Sequence, residues 1–322
     1  MSVTQNRPSQ REVQSPPPKR RGVTVRGKSL PYLFLAPSVV VLATMMGYPL
    51  VRMVLLAFQN MNNYRKFVNP SLVSYVGFQT FSSILSDPLF WQVIRRTLIW
   101  TALNVGLSML IAMAIAALLG RISPWARVTL ITVLLFVWSM PTIVTGTVFR
   151  WLFDNAYGVI DYILYLVGFK GMLHHDWFAD PNQGLYVVVT SVVVWGALPF
   201  LVLALHAGMT QVPTELKEAA RVDGASPLQV YRNVTLPILR PLLLITTALS
   251  FIWDFQVFNQ IWTMRNGAPE QGYWTIGVYL FEQAFDRNRY SDGAVISVAM
   301  IVIMMLVLVF YIRQMLRIGD QK

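Results

Sequence analysis

Six apolar runs govern what this 322-residue chain can become, at about 32–56, 98–119, 130–153, 185–207, 242–261 and 294–315. Each comes close to the ~20 residues that a helix needs to cross a hydrocarbon core. With 55% hydrophobic and only 13% charged residues, the chain is far from the composition of a water-soluble domain. The expected fold is therefore all-α and integral to a membrane, with six transmembrane helices. The lack of cysteine removes disulfides, thiolate metal sites and cysteine nucleophiles from consideration.

Residues 1–29 carry Pro16, Pro17 and Pro18, then Lys19, Arg20 and Arg21, with no hydrophobic periodicity. They read as a disordered basic tail in front of a transmembrane domain covering 30–322. Within the tail, Gly22 to Ser29 fits the pattern G-x-x-x-x-G-K-[ST]. That motif holds phosphate only where a buried strand precedes it and a helix follows, so that backbone amides converge. Here a proline–arginine tract precedes it and an apolar run follows, so it is not read as a nucleotide site. The first apolar run is too long for the core of a cleaved leader and lacks a small-residue cleavage site, which makes it a retained signal anchor.

Six spans place the amino tail, the 120–129 loop, the 208–241 loop and the carboxyl tail on one face. The amino tail alone holds seven Lys or Arg, and the 208–241 loop adds Lys217, Arg221, Arg232 and Arg240. Segments on the opposite face hold Asp154, Asp161, Asp176, Asp180, Glu270, Glu282, Asp286 and Asp292. Nearly all of the formal charge of +11 therefore lies on one side, which the positive-inside rule names cytoplasmic. Both termini fall there, and the basic charge calls for no nucleic-acid partner. On the outer side, Val76, Gly77 and Phe78, then Phe81, Ile84, Leu85, Phe90 and Trp91, suggest short interfacial helices.

The longest cytoplasmic loop, 208–241, is ordered in pattern. Leu216, Ala219 and Ala220 recur at helical spacing, and Gly224 is suited to the left-handed turn that ends a helix. Ser226, Pro227 and Gln229 then read as the cap and first turn of a second helix with Leu228, Tyr231 and Val234 on its apolar face. Pro237 and Pro241 are expected to redirect that helix into the fifth span. A helix pair of this kind, lying flat under a bundle and joined to a span at each end, is a lever.

These residues resemble the permease subunits of bacterial ABC importers. The resemblance rests on Glu218-Ala219-Ala220, Gly224 and Leu236-Pro237 through Pro241. It extends over most of the chain through Tyr48-Pro49, Val76-Gly77-Phe78, Asp87-Pro88, Phe90-Trp91, Arg150-Trp151-Leu152-Phe153, Tyr157-Gly158 and Trp253-Asp254-Phe255. The overall pattern looks like the carbohydrate-uptake branch, of the maltose, sn-glycerol-3-phosphate and disaccharide type. The resemblance implies a six-helix permease in the bacterial plasma membrane, with a cytoplasmic coupling helix pair between spans four and five. It implies a second homologous permease, a dimer of ATP-binding subunits and an extracytoplasmic sugar-binding protein as partners. Glu218, Ala219, Ala220, Asp223 and Gly224 would carry the coupling, with no catalytic residue and no cofactor of the chain's own. Residues 264–269, Met-Arg-Asn-Gly-Ala-Pro, depart from the family pattern at Arg265.

For the pathway itself, polar groups within spans are costly and normally face a cavity or another helix. Asp254 stands out, with Gln256, Phe258, Asn259 and Trp262 close by on the fifth apolar run. Alternating rings and amides suit a sugar, which offers flat apolar faces and hydroxyls. Asp254 pairing with a partner subunit or with another helix is the equal alternative. Asn104 and Trp195 are secondary candidates, and Arg52 is expected to snorkel to headgroups. His174, His175 and Asp176 do not share a helical face, so no metal site is expected. A gradient-driven transporter would need paired intramembrane ionisable groups and inverted repeats. A non-transporting scaffold would tolerate polar changes in the fifth span.

Overall fold

The computed structural model describes residues 30–319. The basic tail 1–29, with its phosphate-loop-like stretch, lies outside the described residues. By internal contacts the chain divides into two units, Met1–Val51 and Arg52–Lys322. In the first, α1 (Leu30–Leu42) passes through a π-turn at Ala43–Gly47 into α2 (Tyr48–Ala57). Pro49 has no amide to donate to the turn before it, and a wider turn at that point is the local response. Phe34, Met45 and Met46 are exposed, as suits side chains whose solvent is hydrocarbon.

In the second unit, α3 (Tyr64–Val68) and α4 (Gln79–Leu85) precede α5 (Pro88–Leu119). The Asp87 carboxylate accepts from the Leu89 amide at 2.9 Å, and Pro88 needs no acceptor in the first turn. The cap starts α5 at 88 rather than at the expected 98, so Phe90 and Trp91 are its first turn and not a separate interfacial helix. At 32 residues it is about 48 Å long, well beyond the hydrocarbon thickness. Its buried face carries Val93, Trp100, Ala112 and Ala116, and Trp100 donates its indole N–H to Leu185 O at 3.1 Å and to Thr190 Oγ1 at 3.0 Å.

The third apolar run is not one helix. α6 (Pro124–Ser139) and α7 (Thr142–Leu152) meet at a bend of 104°. Pro141 supplies no amide, and its ring holds Met140 extended at φ −74°, ψ 130°, so the helix stops there. After α8 (Val159–Leu166), the fourth run begins with α9 (Pro181–Gln183) and continues through a π-turn into α10 (Thr190–Thr210), which absorbs Pro199. α10 packs along α5, with Leu201, Val202 and Leu205 against Ala112, Ala116 and Leu119.

The 208–241 loop forms α11 (Thr214–Val222) and α12 (Pro227–Val230). Contrary to the sequence expectation, the prolines do not redirect the second helix. α12 runs through a π-turn at Tyr231–Thr235 directly into α13 (Leu236–Phe255), making Pro227–Phe255 one helical run. The π-turn accommodates the missing amide of Pro237 without ending the helix. The fifth span stops at Phe255 rather than 261, because the Asp254 carbonyl accepts from the amides of Gln256 and Val257 and closes the last turn. Asn259 and Trp262 lie on a separate helix, α14 (Asn259–Met264), and not on the helix that carries Asp254. α15 (Ile276–Phe281) and the final α16 (Tyr290–Gly319) follow. The start of α16 is pinned where Asn62 donates to Asp292 at 2.8 Å and the Met61 amide donates to Ser291 Oγ at 2.9 Å. Five helical stretches are long and apolar enough to cross a membrane, and the bent pair raises the number to six.

One glycine on the outer side is fixed by close approach. A Cβ on Gly158 would lie 2.3 Å from the Asp154 carbonyl oxygen and 2.9 Å from that of Leu152, which are backbone atoms and cannot turn away. Gly158→Ala should therefore destabilise by about 1–3 kcal/mol, read as a lower thermal midpoint of the purified protein. Gly106→Ala, where a Cβ meets nothing within 4 Å, should be neutral or stabilising. Equal midpoints for the two variants would refute the packing argument.

Candidate functional site

Two places gather the residues singled out from sequence. The first is the turn between α11 and α12, within the 208–241 loop. α11 ends at Asp223, Gly224 takes φ +83°, and the Ala225 amide donates back to Ala220 O at 3.0 Å, as a left-handed helix stop requires. Ser226 and Gln229 then complete a capping box, with the Ser226 amide donating to Gln229 Oε1 at 2.7 Å. Glu218, Ala219, Asp223 and Gly224 are exposed and Ala220 is half-buried. The small side chains leave the backbone of the turn open to another surface. Val222, which the sequence did not single out, and Leu228, expected on an apolar face, are 87% and 73% exposed at the tip. An apolar tip ringed by Glu218, Asp223 and Arg221 has the composition of a docking patch.

The second place is a cavity of about 330 Å³ among α6, α7, α10 and the end of α13. Trp138, Met140, Thr142 and Thr145 come from the bend of the third run, Trp195 and Gly196 from α10, and Trp253, Asp254, Val257 and Gln260 from the break after α13. Asp254 is only 4% exposed, and its Oδ2 is buried with no hydrogen-bond partner. It sits in the last turn of α13, where the partial negative charge of the helix end opposes a carboxylate. Neither packing nor the helix dipole accounts for an acidic group there, so its cost points to something that visits the cavity.

Of the five residues expected on the pathway, the cavity gathers Asp254 alone, together with the secondary candidate Trp195. Phe258 and Trp262 stack at 5.1 Å, and Phe281 lies 4.8 and 4.7 Å from their rings in an outer aromatic cluster. Gln256 and Asn259 are exposed. Asn104 is wholly buried between helices, donating to Trp100 O at 2.8 Å. Gln260 was missed because a continuous fifth helix put it on a different face. Trp138 and Thr145 were missed because the bend that brings them inward was read as a straight span.

Arg265, the departure from the family pattern, is held in place. It pairs with the Glu270 carboxylate and lies over the Tyr273 and Phe178 rings, 4.6 and 5.4 Å from their centroids. Tyr273 donates its hydroxyl to Phe178 O at 2.9 Å, and burial pushes its pKa up to about 12. The cluster ties the 154–184 and 262–293 segments together. The histidines do not converge: His174 faces Asn155 O at 2.9 Å and His175 faces Gln183 Oε1 at 2.6 Å.

Long apolar helices, two of them broken beside a polar cavity, and an exposed turn between helices define a polytopic helical membrane protein. The chain belongs to the family described as the inner membrane component of binding-protein-dependent transport systems, whose sequence profile matches residues 112–322. It is 34% identical over 299 residues to the diacetylchitobiose uptake system permease protein DasB of Streptomyces coelicolor, covering 93% of this chain and 90% of that one. It is 28% identical to the sulfoquinovosyl glycerol transport system permease protein SmoG of Agrobacterium fabrum, over 91% and 92% of the two chains. In fold it is similar to a chain of a bacterial ABC transporter involved in import of the acidic polysaccharide alginate, with a TM-score of 0.71 at 18% identity, over 89% of this chain and 95% of that one.

The Arg265 cluster has a pH signature. The hydrogen bond from Arg265 holds the Glu270 carboxyl below its ordinary value. Its stabilisation is thus present above the ordinary carboxylate range and lost as pH falls through the lowered folded value. With Glu270 58% exposed, the effect is below about 1 kcal/mol. Wild type should have a higher thermal midpoint than Glu270→Gln at pH 7, and the gap should close as pH falls below the ordinary carboxylate range. A gap that persists in acid would show that the charge is not its source.

Proposed function

We propose that this chain forms one permease half of an ATP-driven importer for a disaccharide or short oligosaccharide in a bacterial plasma membrane, with both termini cytoplasmic. Its partners in this reading are a second, homologous permease, a dimer of ATP-binding subunits and an extracytoplasmic sugar-binding protein. The observation that carries the proposal is the cavity at the helix breaks, where the unpartnered Asp254 carboxylate sits among Trp138, Trp195 and Trp253. Indole faces suit the apolar faces of pyranose rings, and a carboxylate with Gln260 and Thr145 suits hydroxyls. The names of the relatives, which specify a disaccharide and a glycosylated glycerol, support a sugar-sized substrate. Hydrolysis of ATP belongs to the partner in this scheme.

Coupling falls to Glu218, Ala219, Ala220, Asp223 and Gly224. Closure of the ATP-binding subunits would move this turn, and the unbroken Pro227–Phe255 helix would carry the movement to Asp254. Gly224→Pro and Glu218→Lys should reduce substrate-stimulated ATP hydrolysis by the whole reconstituted complex about tenfold or more, because both act on a surface made only when the complex cycles. Unchanged stimulation would move the coupling elsewhere. Asp254→Asn should lower uptake by about tenfold or more, the worth of a charged hydrogen bond, with basal hydrolysis retained. Uptake at the wild-type rate would take the pathway off Asp254.

A further inference from the structure

A second cavity, of about 280 Å³, lies behind the cytoplasmic turn, between the ends of α5 and α10 and the α11–α12 pair. Arg121, Lys217, Arg221 and His206 line it, and no carboxylate does. One ordinary reason for cations here is the capping of helix carboxyl ends. That need is already met. Arg127 donates to Leu119 O at 2.8 Å, Lys217 to Met209 O at 3.3 Å, and His206 lies 3.3 Å from Ala116 O. Arg121 and Arg221 are left over, with no ion pair or side-chain hydrogen bond among the described residues. The Tyr231 hydroxyl is also buried without a partner at the same cavity.

Two guanidinium groups from separate segments, converging on one hollow with an unsatisfied hydroxyl, make a receptor for a tetrahedral anion. What neighbours the hollow narrows the choice. A groove of about 560 Å³ shares Ala117, Arg121, Pro227 and Tyr231 with it and is otherwise walled by Ala114, Leu118, Ser226 and Leu228. Ala114 and Leu118 belong to the last turns of a membrane helix, so the groove runs from the apolar zone to the cations. A ligand that fills both is charged at one end and aliphatic at the other. We propose that the paired hollow and groove bind an anionic phospholipid of the leaflet bordering the 208–241 loop. Its phosphate would sit on Arg121 and Arg221 and its glycerol and acyl portion along Ala114, Leu118 and Leu228. The coupling residues Glu218, Ala219, Asp223 and Gly224 line neither the hollow nor the groove, whereas Arg221 lines the hollow, Leu228 lines the groove, and both border the exposed tip.

The test uses the full-length purified chain in nanodiscs, with retention of phosphatidylglycerol over phosphatidylcholine read by native mass spectrometry. Wild type should retain phosphatidylglycerol preferentially, and Arg121→Gln with Arg221→Gln should lower that preference about tenfold or more. Arg232→Gln with Arg240→Gln removes the same charge from the same face away from the cavity and should change it by less than about threefold. Equal losses in the two double variants would reduce the effect to diffuse surface charge and overturn the site. Displacement of the lipid by millimolar inorganic phosphate would overturn the lipid assignment in favour of a free anion. Arg221→Gln alone, a change at an exposed side chain with no partner, gives the same reading should the double variant not fold.

Discussion

A backbone amide left without a partner in hydrocarbon costs several kcal/mol, and the rest of this structure depends on how that cost is avoided. Along α5 and α10 it is avoided by uninterrupted helix. Where the helix does break, at Ser139–Pro141 and at Gln256–Phe258, each break contributes a residue to one cavity. Met140 and Val257, one from each break, line the same cavity. Breaks and site are thus a single feature: the place where helix geometry lapses is the place where polar groups can meet a visitor. Gly277 packs closely on the second break, since a Cβ there would stand 3.3 Å from the carbonyl oxygens of Gln256 and Val257.

How much of this could be read from the residues depended on whether a signal was local. The apolar runs are set by length and composition, so the spans were legible, including the broken one as an apolar stretch. The cytoplasmic turn was legible too, because Gly224 and the Ser226–Gln229 cap act over a few residues. What failed was the conformation at prolines. Pro199 is tolerated in α10, Pro237 is absorbed by a π-turn, and Pro141 bends its run by 104°. A missing amide is common to all of them, and only the surrounding packing decides among the outcomes. The error at Pro141 hid Trp138 and Thr145, and the error at Phe255 assigned Asn259 and Trp262 to the wrong helix.

Charge is distributed with the same economy. Arg265 and Glu270 are spent on joining two loops, and Arg289 and Asp292 on starting α16. Arg121 and Arg221 have no ion pair among the described residues, and other cations cap the helix ends near them. A charge that is paired within the chain is structural by that fact, and one that is not is free to recognise something else.

The helix Pro227–Phe255 joins those two conditions. It begins at the capping box beside the exposed turn and ends at Asp254, so one 29-residue element of about 43 Å touches both ends of the proposed mechanism. A rigid helix transmits displacement without any intervening network, which is why no chain of polar contacts between the turn and the cavity is required. Gly208 allows this helix to lie close to α10, since a Cβ there would reach within 2.3 Å of Leu242 Cδ2. Close packing without a polar bond is a contact that can slide. Were α13 instead fastened to α10 by buried ion pairs, a push on the turn would have to break them before Asp254 moved. The contact with α10 is left to Gly208 with Leu242 and to the Phe200–Trp253 ring pair, 5.1 Å between centroids.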